Sequence, residues 1–106
     1  MSINIRHLYS NRNSRWEVKV IGEIDINTAD EVKEKINSLV DEREDSVLLD
    51  MEDVSYIDST GLGIFIALVK RLKSSGKNLI LLNPNRSIVK LFEITGLDQI
   101  FTLRKD

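Results

Sequence analysis

Alternating apolar and polar residues predict two strands at the start of the chain. The alternation runs over residues 3–9 and again over residues 15–21, and a period of two residues is typical of a strand with one buried face. The polar run between them, residues 10–14, has the composition of a turn. We therefore predict an antiparallel hairpin whose second strand ends at residues 22–25.

Three later segments show the spacing of helices that bury one face. The first begins at Thr28, because Thr28 and Glu31 have the spacing of a capping box. The second begins near Ser59 and ends near Gly76, a residue placed to close the helix in the left-handed conformation. The third spans about residues 87–94. Each helix is predicted to turn its apolar face to a sheet.

Short apolar runs at residues 46–51, 79–82 and 100–103 predict three further strands. The element order is then β-β-α-β-α-β-α-β. Strands that alternate with helices are joined by right-handed crossovers, which produce a largely parallel sheet. We predict a single α/β domain over residues 1–106, with a mixed, mostly parallel sheet, an N-terminal antiparallel hairpin and helices packed on the sheet.

The composition excludes several classes of protein. The chain has 106 residues with 15 basic and 17 acidic side chains, a net charge of -2 and no cysteine. This charge argues against a nucleic-acid partner, and the lack of thiols excludes thiol catalysis, thiolate metal sites and disulfides. The longest apolar stretch, residues 61–69, is far shorter than the ~20 residues of a membrane span, and the N-terminal segment has no signal-peptide pattern. We expect a cytoplasmic protein that binds neither membranes nor nucleic acid.

Residues 56–63 place one carboxylate, two adjacent hydroxyls and two glycines between a strand and a helix. A hydroxyl at a helix start can cap the helix, bind an anion or carry a covalent phosphate. Ser59 is therefore either a plain N-cap or a functional residue, and the spacing leaves both open. Asp58 supplies a second capping side chain, so Ser59 is not required as the cap. Gly61 and Gly63 each weaken the helix by roughly 1 kcal/mol relative to alanine and leave room for a partner to approach.

The second helix has a wide apolar surface that predicts two separate faces. One stripe should face the sheet, and it consists of Leu62, Phe65, Ile66, Val69 and Leu72. Ile64 and Leu68 lie on a separate flank near the Ser59 end. That flank is either an exposed patch for a protein partner or a surface covered by the third helix or a loop.

Asp25 is predicted to lie near Asp58. Both residues follow strands, and crossovers of one hand bring the carboxyl ends of parallel strands to one edge of the sheet. The two carboxylates are therefore expected on the same rim. Taken alone, Asp25 also has the sequence context of a turn or capping residue.

Catalysis by this chain has little support in the sequence. His7 is the only histidine and lies in the first predicted strand, so no base accompanies a serine. The G-x-S-x-G elbow, the P-loop and the dinucleotide fingerprint are absent, and no histidine or carboxylate cluster has metal-site spacing. We predict a protein that is not an enzyme and that holds no cofactor or metal.

Three segments resemble a known family. Residues 22–25 (GEID), 54–63 (VSYIDSTGLG) and 91–97 (LFEITGL) are similar to the stand-alone STAS domains that act as anti-sigma-factor antagonists in bacteria. The branch that it resembles regulates general-stress or sporulation sigma factors. The likeness spans nearly the whole chain, and the middle segment is the most specific. It implies a single STAS-type α/β domain.

The resemblance implies roles for individual residues. Ser59 matches the family's phosphorylated serine, which directly follows the aspartate of the D-S-[ST]-G motif. Asp25 and Asp58 match its functional carboxylates, and Thr60 is a weaker candidate acceptor. The implied partner-binding surface comprises Asp25, Asp58, Thr60, Gly61, Leu62, Gly63, Ile64 and Leu68.

The resemblance also implies partner switching. The unphosphorylated protein would bind an anti-sigma factor that is also a serine kinase and so release the sigma factor. The kinase, which holds ATP and Mg²⁺, would phosphorylate Ser59 and end the binding, and a serine phosphatase would reverse the modification. The free chain would be a monomer or weak dimer. Two other classes stay open: a constitutive interaction module in which Ser59 is only a cap, and a receiver-like domain that accepts phosphate on an aspartate.

Overall fold

The computed structural model describes residues 3–106, which form six strands, three α-helices and one short 3₁₀ helix. Met1 and Ser2, the first two residues of the predicted domain, lie outside the described residues. In chain order the elements are β1 (Asn4–Ser10), β2 (Arg15–Ile24), α1 (Ala29–Glu42), β3 (Ser46–Asp50), β4 (Val54–Ile57), α2 (Ser59–Ser74), β5 (Leu79–Leu82), α3 (Arg86–Thr95), the 3₁₀ helix (Leu97–Gln99) and β6 (Thr102–Arg104).

The strands form one mixed sheet, which confirms the predicted fold class. Its order is β1-β2-β3-β5-β6, with β4 paired to β2 beside this path. β1 and β2 are the predicted antiparallel hairpin, whereas the pairs β2–β3, β2–β4, β3–β5 and β5–β6 are parallel. The carboxyl ends of β2 to β6 therefore lie at one edge of the sheet.

The structure has one strand more than the sequence predicted, because β4 was missed. β4 has four residues, of which Val54 and Ile57 are buried and the two between them are exposed, so it lacks the alternation that identifies a strand. β2 has ten residues and can pair with β3 along its first half and with β4 along residues 22–24. The last strand begins at Thr102, two residues later than predicted, since the 3₁₀ helix occupies the preceding turn.

One hydrophobic core joins the helices to one face of the sheet. α1 buries the apolar face that its periodicity predicted, from Ala29 to Val40. The inward residues of three strands pack into the same cluster with α2 and α3; they are Trp16, Val18, Val20, Val47, Leu49, Leu79 and Leu81. Neither the 16-residue α2 nor any other helix within residues 3–106 is long and apolar enough to cross a membrane.

The second flank of α2 is buried, so the structure excludes the exposed patch, which was one of the two alternatives left open by the sequence, and removes Ile64 and Leu68 from the predicted partner surface. Ile64 is 7% exposed and Leu68 is 2% exposed, and both belong to the hydrophobic core. The physical reason is that α2 packs against α1 as well as against the sheet, which requires a buried face wider than one stripe. Arg71 joins the two helices by donating a hydrogen bond to Asn37 Oδ1 at 2.7 Å.

Gly76 follows the end of α2, as predicted. Its φ of +74° lies in the left-handed region that favours glycine. The Gly76 N–H donates to the carbonyl oxygen of Lys73 at 3.0 Å, and the Lys77 N–H donates to that of Leu72 at 2.8 Å. These two bonds satisfy carbonyls that have no partner inside the helix and turn the chain toward β5.

Candidate functional site

β2 and β4 end side by side, and this pairing builds the candidate site. Ile24 and Ile57 are register partners, and the Asp58 N–H extends the pairing by donating to the Ile24 carbonyl oxygen at 3.2 Å. The loop that follows β2 and the first turn of α2 are therefore neighbours. The prediction that Asp25 and Asp58 lie on the same rim is confirmed.

Asp58 is the N-cap of α2 and also holds the neighbouring loop. Its Oδ1 accepts a hydrogen bond from the Gly61 N–H at 2.9 Å, and its Oδ2 accepts one from the Ile26 N–H at 3.0 Å. Both carboxylate oxygens are thus bound to backbone donors. Ser59, the first residue of α2, is exposed and does not accept the capping bond. N-capping of α2 therefore does not explain why this position is a serine.

Asp25 is a turn residue, as its sequence context indicated. Its Oδ1 accepts hydrogen bonds from the backbone N–H groups of Asn27 at 2.9 Å and Thr28 at 3.2 Å, an arrangement typical of an Asx turn. The side chain is half-buried beside the first turn of α2. This carboxylate stabilises the turn that places the Ile26 N–H within hydrogen-bonding distance of Asp58.

The predicted capping box at the start of α1 is wrong. The Thr28 side chain makes no cap hydrogen bond to α1. It is 3% exposed, and its hydroxyl donates to the Glu23 carbonyl oxygen at 2.7 Å and accepts from the Asp25 N–H at 3.0 Å. The Thr28 side chain therefore stabilises the loop between β2 and α1, which borders the candidate site, and does not cap α1.

The two glycines of the first turns differ in their surroundings. A Cβ on Gly61 would lie 2.7 Å from the Ile24 carbonyl oxygen and 3.0 Å from Ile57 Cγ2. Gly61 therefore lets α2 approach the two strand ends. The prediction that Gly61 leaves room for a partner is wrong, because this residue is buried. A Cβ on Gly63 would meet no atom within 4 Å, and this residue is exposed.

The predicted site residues divide into an exposed set and a buried set. Ser59, Thr60 and Gly63 are exposed on the first turns of α2, with Asp25 and Asp58 half-buried beside them. The other predicted contact residues are buried: Gly61, Leu62, Ile64 and Leu68. The structure thus brings together a polar, acidic surface around Ser59 but not the apolar part of the predicted interface.

An open groove beside Ser59 supplies an apolar surface that the sequence did not indicate. It has a volume of about 750 Å³ and runs between the β4–α2 segment and α3. Tyr56, Ser59 and Leu62 line one side, and Ile88 and Leu91 line the other. The groove was missed because it depends on how α3 packs beside the β4–α2 segment, which no local sequence pattern reveals.

Three large hydrophobic side chains are exposed on segments that line or adjoin this groove. Ile26 is 72% exposed, Tyr56 is 51% exposed and Ile94 is 74% exposed. Tyr56 lines the groove, Ile26 lies in the loop bound by the groove residue Asp58, and Ile94 is three residues after the groove residue Leu91 on α3. The sequence does contain an indication that Ile26 is exposed. It is an apolar residue within a polar loop that follows a strand, and such a loop lies outside the core.

The chain is similar to proteins of one family over nearly all of its length. The sequence pattern of the STAS domain matches residues 11–106. An anti-sigma-B factor antagonist from Staphylococcus aureus is 37% identical over 100 residues, which are 94% of this chain and 91% of that protein.

Two solved structures share the architecture. The crystal structure of an anti-sigma factor antagonist from Mycobacterium paratuberculosis superposes with a TM-score of 0.75 and 27% identity, covering 95% of this chain and 86% of its own. The Bacillus cell fate determinant SpoIIAA in its phosphorylated form superposes with a TM-score of 0.70 and 20% identity, covering 96% of this chain and 90% of its own. The second likeness shows a shared fold.

Proposed function

Because this chain belongs to the STAS-domain family, we propose that it is a cytoplasmic anti-sigma-factor antagonist, whose binding to an anti-sigma factor ends when Ser59 is phosphorylated. The observation that carries the proposal is the exposed Ser59 hydroxyl at the start of α2, where Asp58 already makes the cap. The names of the relatives support the antagonist role. The phosphorylated form of SpoIIAA supports a phosphate on a protein of this fold.

The proposed partner is an anti-sigma factor with serine kinase activity. In the transfer, the Ser59 oxygen bonds to the γ-phosphorus of ATP, the bond from that phosphorus to ADP breaks, and the hydroxyl proton passes to a base. The kinase holds ATP and Mg²⁺ and supplies the base. A separate phosphatase restores the hydroxyl by hydrolysis.

The local charges explain how a phosphate would end the binding. Phosphorylation adds about −1.5 to −2 charges to a surface where Asp58 and Asp25 already lie. Both Asp58 oxygens accept hydrogen bonds from the backbone, so that carboxylate stays in place rather than turning away. The first N–H groups of α2 favour a nearby anion, so the phosphate is tolerated by the domain while it repels an acidic or closely fitted partner surface.

We further propose that the groove beside Ser59 is the apolar part of the partner surface. This replaces the flank of Ile64 and Leu68, which is buried. Tyr56 exposes apolar area in the groove, and Ile26 and Ile94 expose apolar area on the adjoining loop and helix. A partner segment seated there would cover these side chains and touch Ser59, so a phosphate would lie inside the interface.

Phosphate mapping tests the acceptor. The partner is recovered from native cells by co-purification with the tagged chain and then incubated with this chain and Mg²⁺-ATP. We expect an acid-stable phosphate on Ser59, found by mass spectrometry, that is absent from Ser59→Ala and retained in the neighbouring control Thr60→Ala. Phosphate on another residue alone, or an acid-labile aspartyl phosphate, would contradict the assignment.

Binding by charge variants tests the switch in the same assay. Ser59→Asp adds a negative charge. Ser59→Asn introduces a side chain of nearly the same shape as aspartate but without the charge. We expect Ser59→Asp to bind the partner about a hundredfold more weakly, a change of about 2.7 kcal/mol, while Ser59→Ala and Ser59→Asn bind nearly as the wild type does. Equal affinity of all four proteins would instead support a constitutive interaction module.

A further inference from the structure

A second cavity lies on the other side of α3 from the groove. Its volume is about 500 Å³, and it lies where β5 and β6 end. Three of its lining residues are cationic and three are not: Arg86, Arg104 and Lys105, and Pro84, Val89 and Leu103. No acidic residue of the described chain lines it. We call these six residues the basic pocket.

The cations of the basic pocket are poorly neutralised. Arg86 and Lys105 form no ion pair within residues 3–106. Arg104 Nε has a single carboxylate oxygen nearby, Asp106 Oδ1 at 3.5 Å, which is too distant for a good hydrogen bond. Within the described chain this buried Nε atom has no hydrogen-bond partner. A buried donor without a protein acceptor is uncommon in folded proteins, and a ligand or water can supply the acceptor because the Arg104 side chain is 40% exposed.

Hydrogen bonds to the main chain hold the cationic segment in place without using its cationic side chains. The Asn83 N–H donates to the Arg104 carbonyl oxygen at 2.7 Å, and Asn83 Oδ1 accepts from the Asp106 N–H at 2.8 Å. On the facing wall, Asn85 Oδ1 caps α3 by accepting from the Ile88 N–H at 2.9 Å. The backbone that carries the charged groups is therefore held by the loop, and apart from the long contact between Arg104 and Asp106 these groups are left available.

We propose that the basic pocket binds a small organic phosphate. The phosphate would lie between the guanidinium groups of Arg86 and Arg104, which match phosphate oxygens in geometry, with Lys105 as a third cation. Three cations, with Asp106 as the one carboxylate near Arg104, leave an excess of about two positive charges, which suits a group of about −2 charge better than a carboxylate of −1. The apolar body of the ligand would lie against Val89 and Leu103, in a cavity of the size that small ligands occupy. This site is independent of Ser59.

The test titrates the ¹⁵N-labelled protein with phenyl phosphate at fixed ionic strength and follows backbone amide shifts. We expect saturable shifts at Arg86, Val89 and the segment 103–105. Benzoate, with the same ring and one charge, and inorganic phosphate, with no ring, should each bind at least several-fold more weakly. The absence of saturable shifts at these residues, or tighter binding of benzoate, would overturn the proposal.

Variants assign the effect to the cations. Arg86→Gln and Arg104→Gln should each weaken phenyl phosphate binding about tenfold, since each removes a charge-assisted hydrogen bond. Lys90→Gln is the matched control, because Lys90 is exposed on α3 and does not line the basic pocket; its affinity should equal that of the wild type. If Arg104→Gln fails to fold, phenyl phosphate binding by Arg86→Gln alone tests the proposal, because Arg86 is exposed. Unchanged affinity of the folded Arg86→Gln protein would refute the site.

Discussion

Asp58 joins two segments that are 32 residues apart in the chain. One carboxylate oxygen caps α2 and the other holds Ile26, so a single side chain fixes the helix start and the loop around Ser59. The sequence predicted the first of these contacts, because an aspartate before a helix is a good cap. The second contact, between Asp58 and Ile26, depends on the pairing of β4 with β2, and no local sequence pattern predicts that pairing.

The two glycines of α2 give a prediction at the residue scale. Gly61→Ala should destabilise the fold by about 1–3 kcal/mol, because the new Cβ would meet the Ile24 carbonyl oxygen at 2.7 Å. Gly63→Ala should stabilise it by about 0.5–1 kcal/mol, since the added methyl group meets no atom within 4 Å and restricts the unfolded chain. Urea unfolding of the two variants measures both effects. Changes of the same sign in both would contradict the distinction.

At the scale of elements, short-range signals located the helices but not all of the strands. α1, α2 and α3 bury faces whose periodicity is visible in the sequence, and Gly76 marks the end of α2. β4 is too short to show a period. Contacts between elements also depend on polar pairs that are distant in sequence, such as Tyr9 of β1 and Asp45 before β3.

The Tyr9–Asp45 pair gives a pH prediction. The Tyr9 hydroxyl donates to Asp45 Oδ2 at 2.6 Å, and this hydrogen bond, with help from Lys77 and Arg43, holds the pKa of the Asp45 carboxyl below its ordinary value. A lowered pKa in the folded state means that the ionised carboxylate stabilises the fold above its ordinary pKa. That stabilisation is lost as the pH falls through the lowered pKa.

We therefore expect Asp45→Asn to be less stable than the wild type at pH 7, with a gap that narrows as the solution is acidified. The measurement is the free energy of unfolding in urea from pH 7 to about pH 3. Glu44→Gln removes the adjacent exposed carboxylate and should produce no comparable gap at pH 7. A gap of constant size across this range would show that Asp45 acts through packing rather than through its charge.

At the scale of the whole molecule, the parallel sheet gathers the loops of both proposed sites at one edge. β2 and β4 lead into the Ser59 surface, and β5 and β6 lead into the basic pocket. α3 lies between the two, with Leu91 facing the groove and Val89 facing the basic pocket. The two sites therefore lie on opposite sides of one helix, and neighbouring residues of α3 contribute to both.

The partner surface can be tested on the folded molecule. Ile26→Ser and Tyr56→Ser should each weaken binding of the co-purified partner about tenfold, a loss of about 1.4 kcal/mol, while the urea midpoint stays near that of the wild type. Leu8→Ser is the control, because Leu8 is 56% exposed on β1 outside the groove. A loss of binding in Leu8→Ser alone would place the interface on the hairpin instead.

The sequence by itself determined the elements with strong periods, the fold class, the capping role of Asp58 and the motif around Ser59, because each depends on neighbours a few residues apart. Only the tertiary structure decided which apolar residues are exposed. Ile64 and Leu68, for which the sequence left both an exposed and a covered position open, are core, whereas Ile26 and Ile94 are exposed. Burial depends on how helices pack against each other and the sheet, and periodicity describes one helix at a time.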